Sequence, residues 1–324
     1  MRHSDAGAPL RVDEGLFVQV HGVEQWITLR GDNRRNPALL VLSGPGVAFS
    51  RLAPLFAPWE ADFTLVQWDQ PGAGATFARN GEAGTGPLSL ARLVRDAAAV
   101  IEAVRARLGV EKLVVLGISG GSVVGLTLAG ERPDLVTTYV GTGQFTHYGR
   151  QDALSYALVL KQTRANKDDA AVAELEALGP PPWPDATSDA VVSKYAGALT
   201  PAEQAAFGPA VMAAIASPPV GAAYVARGLP EIDQRAQGLA AYTALRNDLK
   251  VFDAARLGSS FEVPVLFIQG ADDRYSVTAE VEAYARTLHA PRKAFVTLKG
   301  GGHSCVFMPD VFLAALKNVL AEEK

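Results

Sequence analysis

The 324-residue chain carries a single cysteine, Cys305. One thiol excludes an intramolecular disulfide and any zinc cluster built on cysteines, and it fits a reducing compartment. The chain also lacks an uninterrupted apolar run of the about 18 residues that a membrane-spanning helix needs. Met1 to Leu10 is polar and mixed, without the apolar core of a secretory signal. No block of like charges reads as a tail or a membrane-surface patch. With 30 Lys and Arg against 34 Asp and Glu the net charge is −4, so the basic footprint of a nucleic-acid binder is missing as well. These absences predict a cytoplasmic protein with neither a membrane nor a nucleic-acid partner. They leave the oligomeric state open.

What the chain does have is apolar substance. At 48% hydrophobic residues it can build a sizeable core, and its length suits one large α/β domain with an insertion. Leu16 to Val20 and Gln25 to Leu29 flank His21-Gly22 as an N-terminal hairpin. Ala38 to Leu42 and Phe63 to Trp68 are apolar strands, each running into a glycine-rich loop. Leu90, Leu93, Val94, Ala97, Ile101, Val104 and Leu108 recur at helical spacing between an N-cap at Ser89 and a stop at Gly109. Further strands follow at Leu113 to Leu116 and Val136 to Val140, with an apolar helix between them that Pro133 stops. This alternation predicts a mostly parallel sheet covered by helices on both faces.

The alternation breaks near Gln144. From there to about Arg256 the sequence is Ala-rich and helix-patterned, and it offers no clear strand. Pro264 to Gln269 restores the strand pattern, followed by a helix (Ala279 to Leu288), a strand (Ala294 to Leu298) and a last helix (Pro309 to Leu320). The expected organisation is a core of residues 1–144 and 251–324 interrupted by a helical cap at 145–250.

One segment carries chemistry on its face. Gly117-Ile118-Ser119-Gly120-Gly121 lies between a buried strand and an apolar helix. A serine on a tight strand-to-helix turn is held strained and exposed, with small neighbours letting the backbone close in. It also stands at a helix N-terminus, where unpaired N–H groups can stabilise an oxyanion. Ser122 is a competitor, but the same glycine pattern centred on it fails at Val124.

A serine nucleophile needs a base and an orienting acid. Of five histidines, His3, His21, His147, His289 and His303, only His303 follows a late strand through a glycine loop, Gly300-Gly301-Gly302. The acid should lie between serine and histidine in the chain, which leaves Asp272 and Asp273 after the strand ending at Gln269. The first oxyanion donor should be the N–H of Gly120 and the second should come from Ser43 to Gly46. Pro45 has no N–H, so Gly44 is the first candidate and Gly46 the second.

Taken together these segments resemble the α/β-hydrolases of the prolyl iminopeptidase-like branch, peptidase family S33. Val41 to Gly46 resembles that family's HGGPG loop, Trp68 to Gly74 its DQRGxG loop, and Gly117 to Ser122 its nucleophile elbow. Gly270-Ala271-Asp272-Asp273 and Gly302-His303 resemble its acid and base loops, which puts the acid at Asp273. The resemblance implies an α/β-hydrolase fold with a helical cap and a Ser119–His303–Asp273 triad. It also implies release of N-terminal residues, proline by preference, from short peptides. No metal or cofactor is implied, and the partner is a small molecule or short peptide.

The chain departs from the family at Leu42 and Ser43, at Pro71, and at Gly120, where iminopeptidases commonly carry tryptophan and where glycine would open the pocket. The WxxWE-like segment that holds a substrate's free amine is not found. Glu174, Glu176, Glu231 and Asp233 read as solvated charges. An esterase or amidase on a small hydrophobic acyl substrate is the alternative, and a non-catalytic ligand-binding module is a third reading.

Overall fold

Leu39 to Leu42 are apolar at every position, and a strand of that kind has to be covered on both faces. The computed structural model describes residues 10–206, 224–230 and 233–321, and it puts this strand near the middle of an eight-stranded sheet. The strands are β1 (Val12–Val20), β2 (Val23–Gly31), β3 (Ala38–Leu42), β4 (Thr64–Trp68), β5 (Leu113–Ile118), β6 (Val136–Thr142), β7 (Val265–Gly270) and β8 (Lys293–Leu298). Their order is β1-β2-β4-β3-β5-β6-β7-β8. β2 is antiparallel to both of its neighbours, and all the other pairs are parallel.

Side-chain alternation divides the core between the two faces. Leu40, Leu42, Leu113, Val115, Val265 and Phe267 pack on one face; Leu39, Val41, Val114, Leu116, Leu266 and Ile268 pack on the other. Between β3 and β5 lie a single turn, α1 (Ala53–Phe56), then α2 (Gly74–Thr85) and α3 (Leu90–Leu108); α4 (Gly120–Glu131) follows β5. α3 and α4 cover the first face with Leu93, Ala97, Ile101, Val123 and Leu126. Phe56, Trp59 and, from the last helix, Phe312 and Leu316 cover the second. Ser89 caps α3 by accepting from Arg92 N at 3.2 Å, and Gly109 ends it in the left-handed conformation.

Between β6 and β7 the described chain is helical and contains no named strand. It holds α5 (Tyr148–Ala165), α6 (Asp169–Leu178), α7 (Ala186–Ala196), helix at the described residues 201–206, and α8 (Gln234–Lys250). The chain returns to the sheet at β7 and finishes with α9 (Thr278–Thr287), β8 and α10 (Pro309–Ala321). Asp189, accepting from Arg246 at 2.6 Å and paired with Lys250 at 3.0 Å, ties α7 to α8. Lys250 also meets Asp152 on α5.

Two features were not expected. β1 begins four residues before the apolar signal at Leu16, because Asp13 and Glu14 are carried into the ladder by pairing with Arg30 and Leu29. α2 has no sequence counterpart, since glycine punctuates it: Gly81 is non-helical, with φ 64°, and kinks the helix.

Candidate active site

The parallel strands end on one edge of the sheet, and the candidate residues follow those ends. Ser119 comes directly after β5 and forms the N-cap of α4, with φ 53° and ψ −127°. A non-glycine residue at positive φ is held there only by its surroundings. Here Ser119 N donates to Thr142 O at 3.0 Å, while Ser122 N closes the turn on Ser119 O at 2.8 Å. The flanking glycines are required by contact. A Cβ on Gly117 would stand 2.7 Å from Ser122 Cα, and one on Gly121 would stand 2.2 Å from Leu42 O.

The base and the acid arrive from the ends of β8 and β7. His303 Nε2 lies 2.9 Å from Ser119 Oγ, and its Nδ1 lies 3.0 and 3.2 Å from the two oxygens of Asp273. Asp273 is buried, whereas Asp272 is exposed, with its N–H given to Gly301 O at 2.8 Å. The choice between the two aspartates that the spacing left open is therefore made by geometry: Asp273 faces the histidine. Burial alone would raise the Asp273 carboxyl. The His303 ring, the Ser276 hydroxyl at 2.6 Å and the Tyr275 N–H at 2.8 Å outweigh burial and hold it below the ordinary carboxylate range.

The remaining histidines lie elsewhere. His21, in the hairpin turn, meets Asp96 at 2.9 Å; His147 caps α5; and His289 is exposed past α9. His3 falls outside the described residues. Ser122 is fully buried, and its hydroxyl accepts from Phe145 N at 3.0 Å, so it is not presented to a substrate.

Gly44 and Gly120 face one another. A Cβ on Gly44 would be 3.7 Å from Gly120 N, which puts both backbones beside Ser119. The loop bearing Gly44 is braced by Gln70 Nε2, which donates to Ser43 O at 3.0 Å, and by Ser43 Oγ, which donates to Val47 O at 2.6 Å. Pro45 packs against Gly120, its Cδ only 2.7 Å from where a Cβ at 120 would sit.

Beneath this loop lies Asp69, fully buried, with Ser50 Oγ donating to it at 2.6 Å and Ala75 N at 2.9 Å. Tyr224 Oη donates to the same carboxylate. Desolvation dominates these hydrogen bonds and pushes the Asp69 carboxyl up to about 6.

Five neighbours had no announcing motif. Gly143, with φ 53°, lies under the imidazole, where a Cβ would be 2.9 Å from His303 Cε1. A glycine directly after a strand was its only sequence signal. Ser276 holds Asp273, and Glu203 accepts from Gly302 N at 2.8 Å, one residue before the histidine. Phe145 and Tyr275 wall the imidazole, the Tyr275 ring 4.8 Å from it. Among the described residues no cluster of His, Cys, Asp and Glu could hold a metal, and no helix is long and apolar enough to cross a membrane.

The constellation is a hydroxyl on a strained turn, an imidazole at hydrogen-bond distance and a buried carboxylate behind it. Chemically, such a set can deprotonate the hydroxyl as it attacks a carbonyl. The alpha/beta hydrolase fold family model matches residues 37–308. The chain belongs to that family.

Two curated relatives carry peptidase names. A probable aminopeptidase of Bacillus subtilis (strain 168) is 24% identical over 295 residues, 89% of this chain and 89% of the relative. A probable proline iminopeptidase of Streptomyces coelicolor is 35% identical over 148 residues, 44% of this chain and 43% of the relative. Among solved structures, a proline iminopeptidase-related protein from Thermus thermophilus superposes with a TM-score of 0.64 at 22% identity, over 95% of this chain and 97% of that one. The fold is that of an α/β hydrolase.

Proposed function

We propose that the chain is a serine hydrolase that works through an acyl-enzyme on Ser119. The observation that carries this reading is the unbroken path from Ser119 Oγ through His303 to the buried Asp273, at 2.9 and 3.0 Å. In the first step His303 Nε2 accepts the Ser119 proton while Oγ forms a bond to the substrate carbonyl carbon. The oxyanion that results is held by the N–H groups of Gly44 and Gly120. Collapse of this adduct breaks the bond to the leaving amine or alcohol, which takes the proton back from imidazolium. Water then repeats the sequence and frees the acid and Ser119. Asp273 keeps the proton on His303 Nδ1 and stabilises the imidazolium. No step calls for a metal or an organic cofactor.

For the substrate, the reading is removal of an N-terminal residue, proline by preference, from short peptides. Its support is the naming of the relatives from Bacillus subtilis and Streptomyces coelicolor. Residues 145–250 act as a cap that bounds the pocket. In support, Gln237 on α8 accepts from Gly74 N at 2.9 Å, and Ser193 on α7 donates to Tyr275 Oη at 3.0 Å.

A second reading, an esterase or amidase without need of a free amine, is favoured by one observation. Most of the described acids of the cap are already engaged, Asp169 at the start of α6 being exposed. Asp152 and Asp189 pair with Lys250 and Arg246, Glu174 with Lys194, and Glu176 with Arg164; Asp233 caps α8. Glu231 lies outside the described residues.

Turnover of a prolyl arylamide with a free amine and of its N-acetylated form separates the two. The peptidase reading expects the free amide to be hydrolysed and the blocked one to fail. Equal rates, or activity on short acyl esters alone, would replace it with the second reading.

A further inference from the structure

Glu203 is fully buried and joins the helical segment between β6 and β7 to the loop that carries His303. One carboxylate oxygen, Oε2, accepts from Thr200 N at 2.8 Å, while Glu203 N donates to Thr200 Oγ1 at 3.1 Å. That reciprocal pair is a capping box, and it fixes the carboxylate at the start of the 201–206 helix. The other oxygen, Oε1, reaches out of the box and accepts from Gly302 N at 2.8 Å. Thr200 makes a second stitch: its Oγ1 donates to Gly300 O at 2.5 Å.

The loop held this way is three glycines long, and glycine gives up more backbone freedom on ordering than any other residue. On its far side the loop rests on the end of β7. Asp272 N donates to Gly301 O at 2.8 Å, and a Cβ on Gly270 would lie 2.1 Å from Gly302 O. Gly301 and Gly302 are therefore gripped between β7 and Glu203, and His303 is the next residue. Its ring has to meet Ser119 and Asp273 at once.

We infer that Glu203 is a positioning residue for the base. Through Gly302 it sets where the His303 ring stands relative to Ser119, and it makes that placement depend on the segment between the two halves of the sheet. The inference rests on the triad reading above, and it concerns alignment of the imidazole, not contact with substrate.

The test compares wild type with Glu203→Gln and Glu203→Ala. Three quantities are read: kcat and KM on p-nitrophenyl butyrate, the rate of fluorophosphonate labelling, and amide hydrogen exchange of the 299–305 peptide. A misplacement of about 1 Å costs on the order of 100-fold in rate, so kcat and labelling should fall about 10- to 100-fold in Glu203→Ala, with KM within about threefold. Glu203→Gln keeps one acceptor oxygen, turns its NH2 toward the other N–H donor, and should fall in between. Exchange at 299–305 should quicken in both variants. If Glu203→Ala does not fold, the near-isosteric Gln variant carries the test alone.

Unchanged kcat and unchanged exchange in folded variants would overturn the inference. So would a change confined to KM, which would place the carboxylate in substrate binding. Wild-type protein that takes no label would count against the triad reading, while the exchange measurement would still judge Glu203.

Discussion

Pro45 occupies the space that a side chain at Gly120 would need, with 2.7 Å between its Cδ and the position of a Cβ there. The two residues flank the point where an oxyanion would sit, so in this structure a side chain at 120 would have to displace the proline. Gly120→Ala should therefore lower kcat/KM by about tenfold or more while leaving the fold intact, since one strained contact beside the site displaces the donors. Pro45→Ala should be milder alone and should recover part of the loss in the double variant. A double-mutant cycle on kcat/KM checks this, and strict additivity would contradict it.

Gly121 is a different case, because its neighbour is backbone. A Cβ there would be 2.2 Å from Leu42 O and 2.5 Å from Ser43 O, and β3 cannot yield without breaking its pairing with β5. Gly121→Ala should cost at least ~2 kcal/mol in denaturant unfolding, the range expected of overpacking in a buried site. A loss within the scatter of surface substitutions would count against that packing.

The two adjacent aspartates should behave oppositely. Asp273→Asn removes the charge facing His303 and should lower kcat by roughly 10³- to 10⁴-fold, the scale seen when a triad acid is replaced by its amide. Asp272→Asn, on an exposed side chain, should stay within about twofold. Parallel kinetics on the two purified variants decide it; equal losses would show that geometry had misassigned the acid.

Asp69 gives a stability signature in pH. Burial, opposed by hydrogen bonds from Ser50, Tyr224 and Ala75, sets its carboxyl at about 6 in the folded chain. The unfolded value is about 3.9. Between these values the folded state holds a proton that the unfolded chain releases, so stability falls as pH rises from about 4 to about 6 and then levels off. The full effect is on the order of 3 kcal/mol. Asp273 has the opposite sign: its lowered carboxyl stabilises the fold above the ordinary aspartate range, and that contribution is lost as pH falls through its folded value. Denaturant midpoints from pH 4 to 7 in wild type and Asp69→Asn separate the first effect. The variant should lose the decline, and an identical slope would contradict the assignment.

Local patterns made much of this legible. Ser119 was readable because a strand, a glycine pair and a helix all sit within twenty residues of it. His303 followed because only one histidine lies in a glycine loop after a late strand. Strand cores were readable because apolar runs covered on both faces have no competing pattern; Ala38 to Leu42 was placed to the residue. What stayed hidden depends on contacts distant in sequence. Glu203 meets Gly302 across 99 positions, and nothing in Thr200-Pro201-Ala202-Glu203 beyond a capping signal points there. The packing of Pro45 against Gly120 stayed hidden for the same reason, since the size of the glycine is visible in the sequence and its neighbour is not. α2 went unseen because Gly74, Gly81 and Gly84 read as loop, while tertiary contacts to β2 hold it helical.

Every step of the proposed mechanism passes through Ser119 as the acyl-accepting nucleophile. Intact-mass analysis after treatment with a fluorophosphonate probe tests it most directly. One equivalent of adduct is expected on wild type, mapped to Ser119, and none on Ser119→Ala. Folded wild type that takes no adduct, or a Ser119→Ala variant that still does, would contradict it.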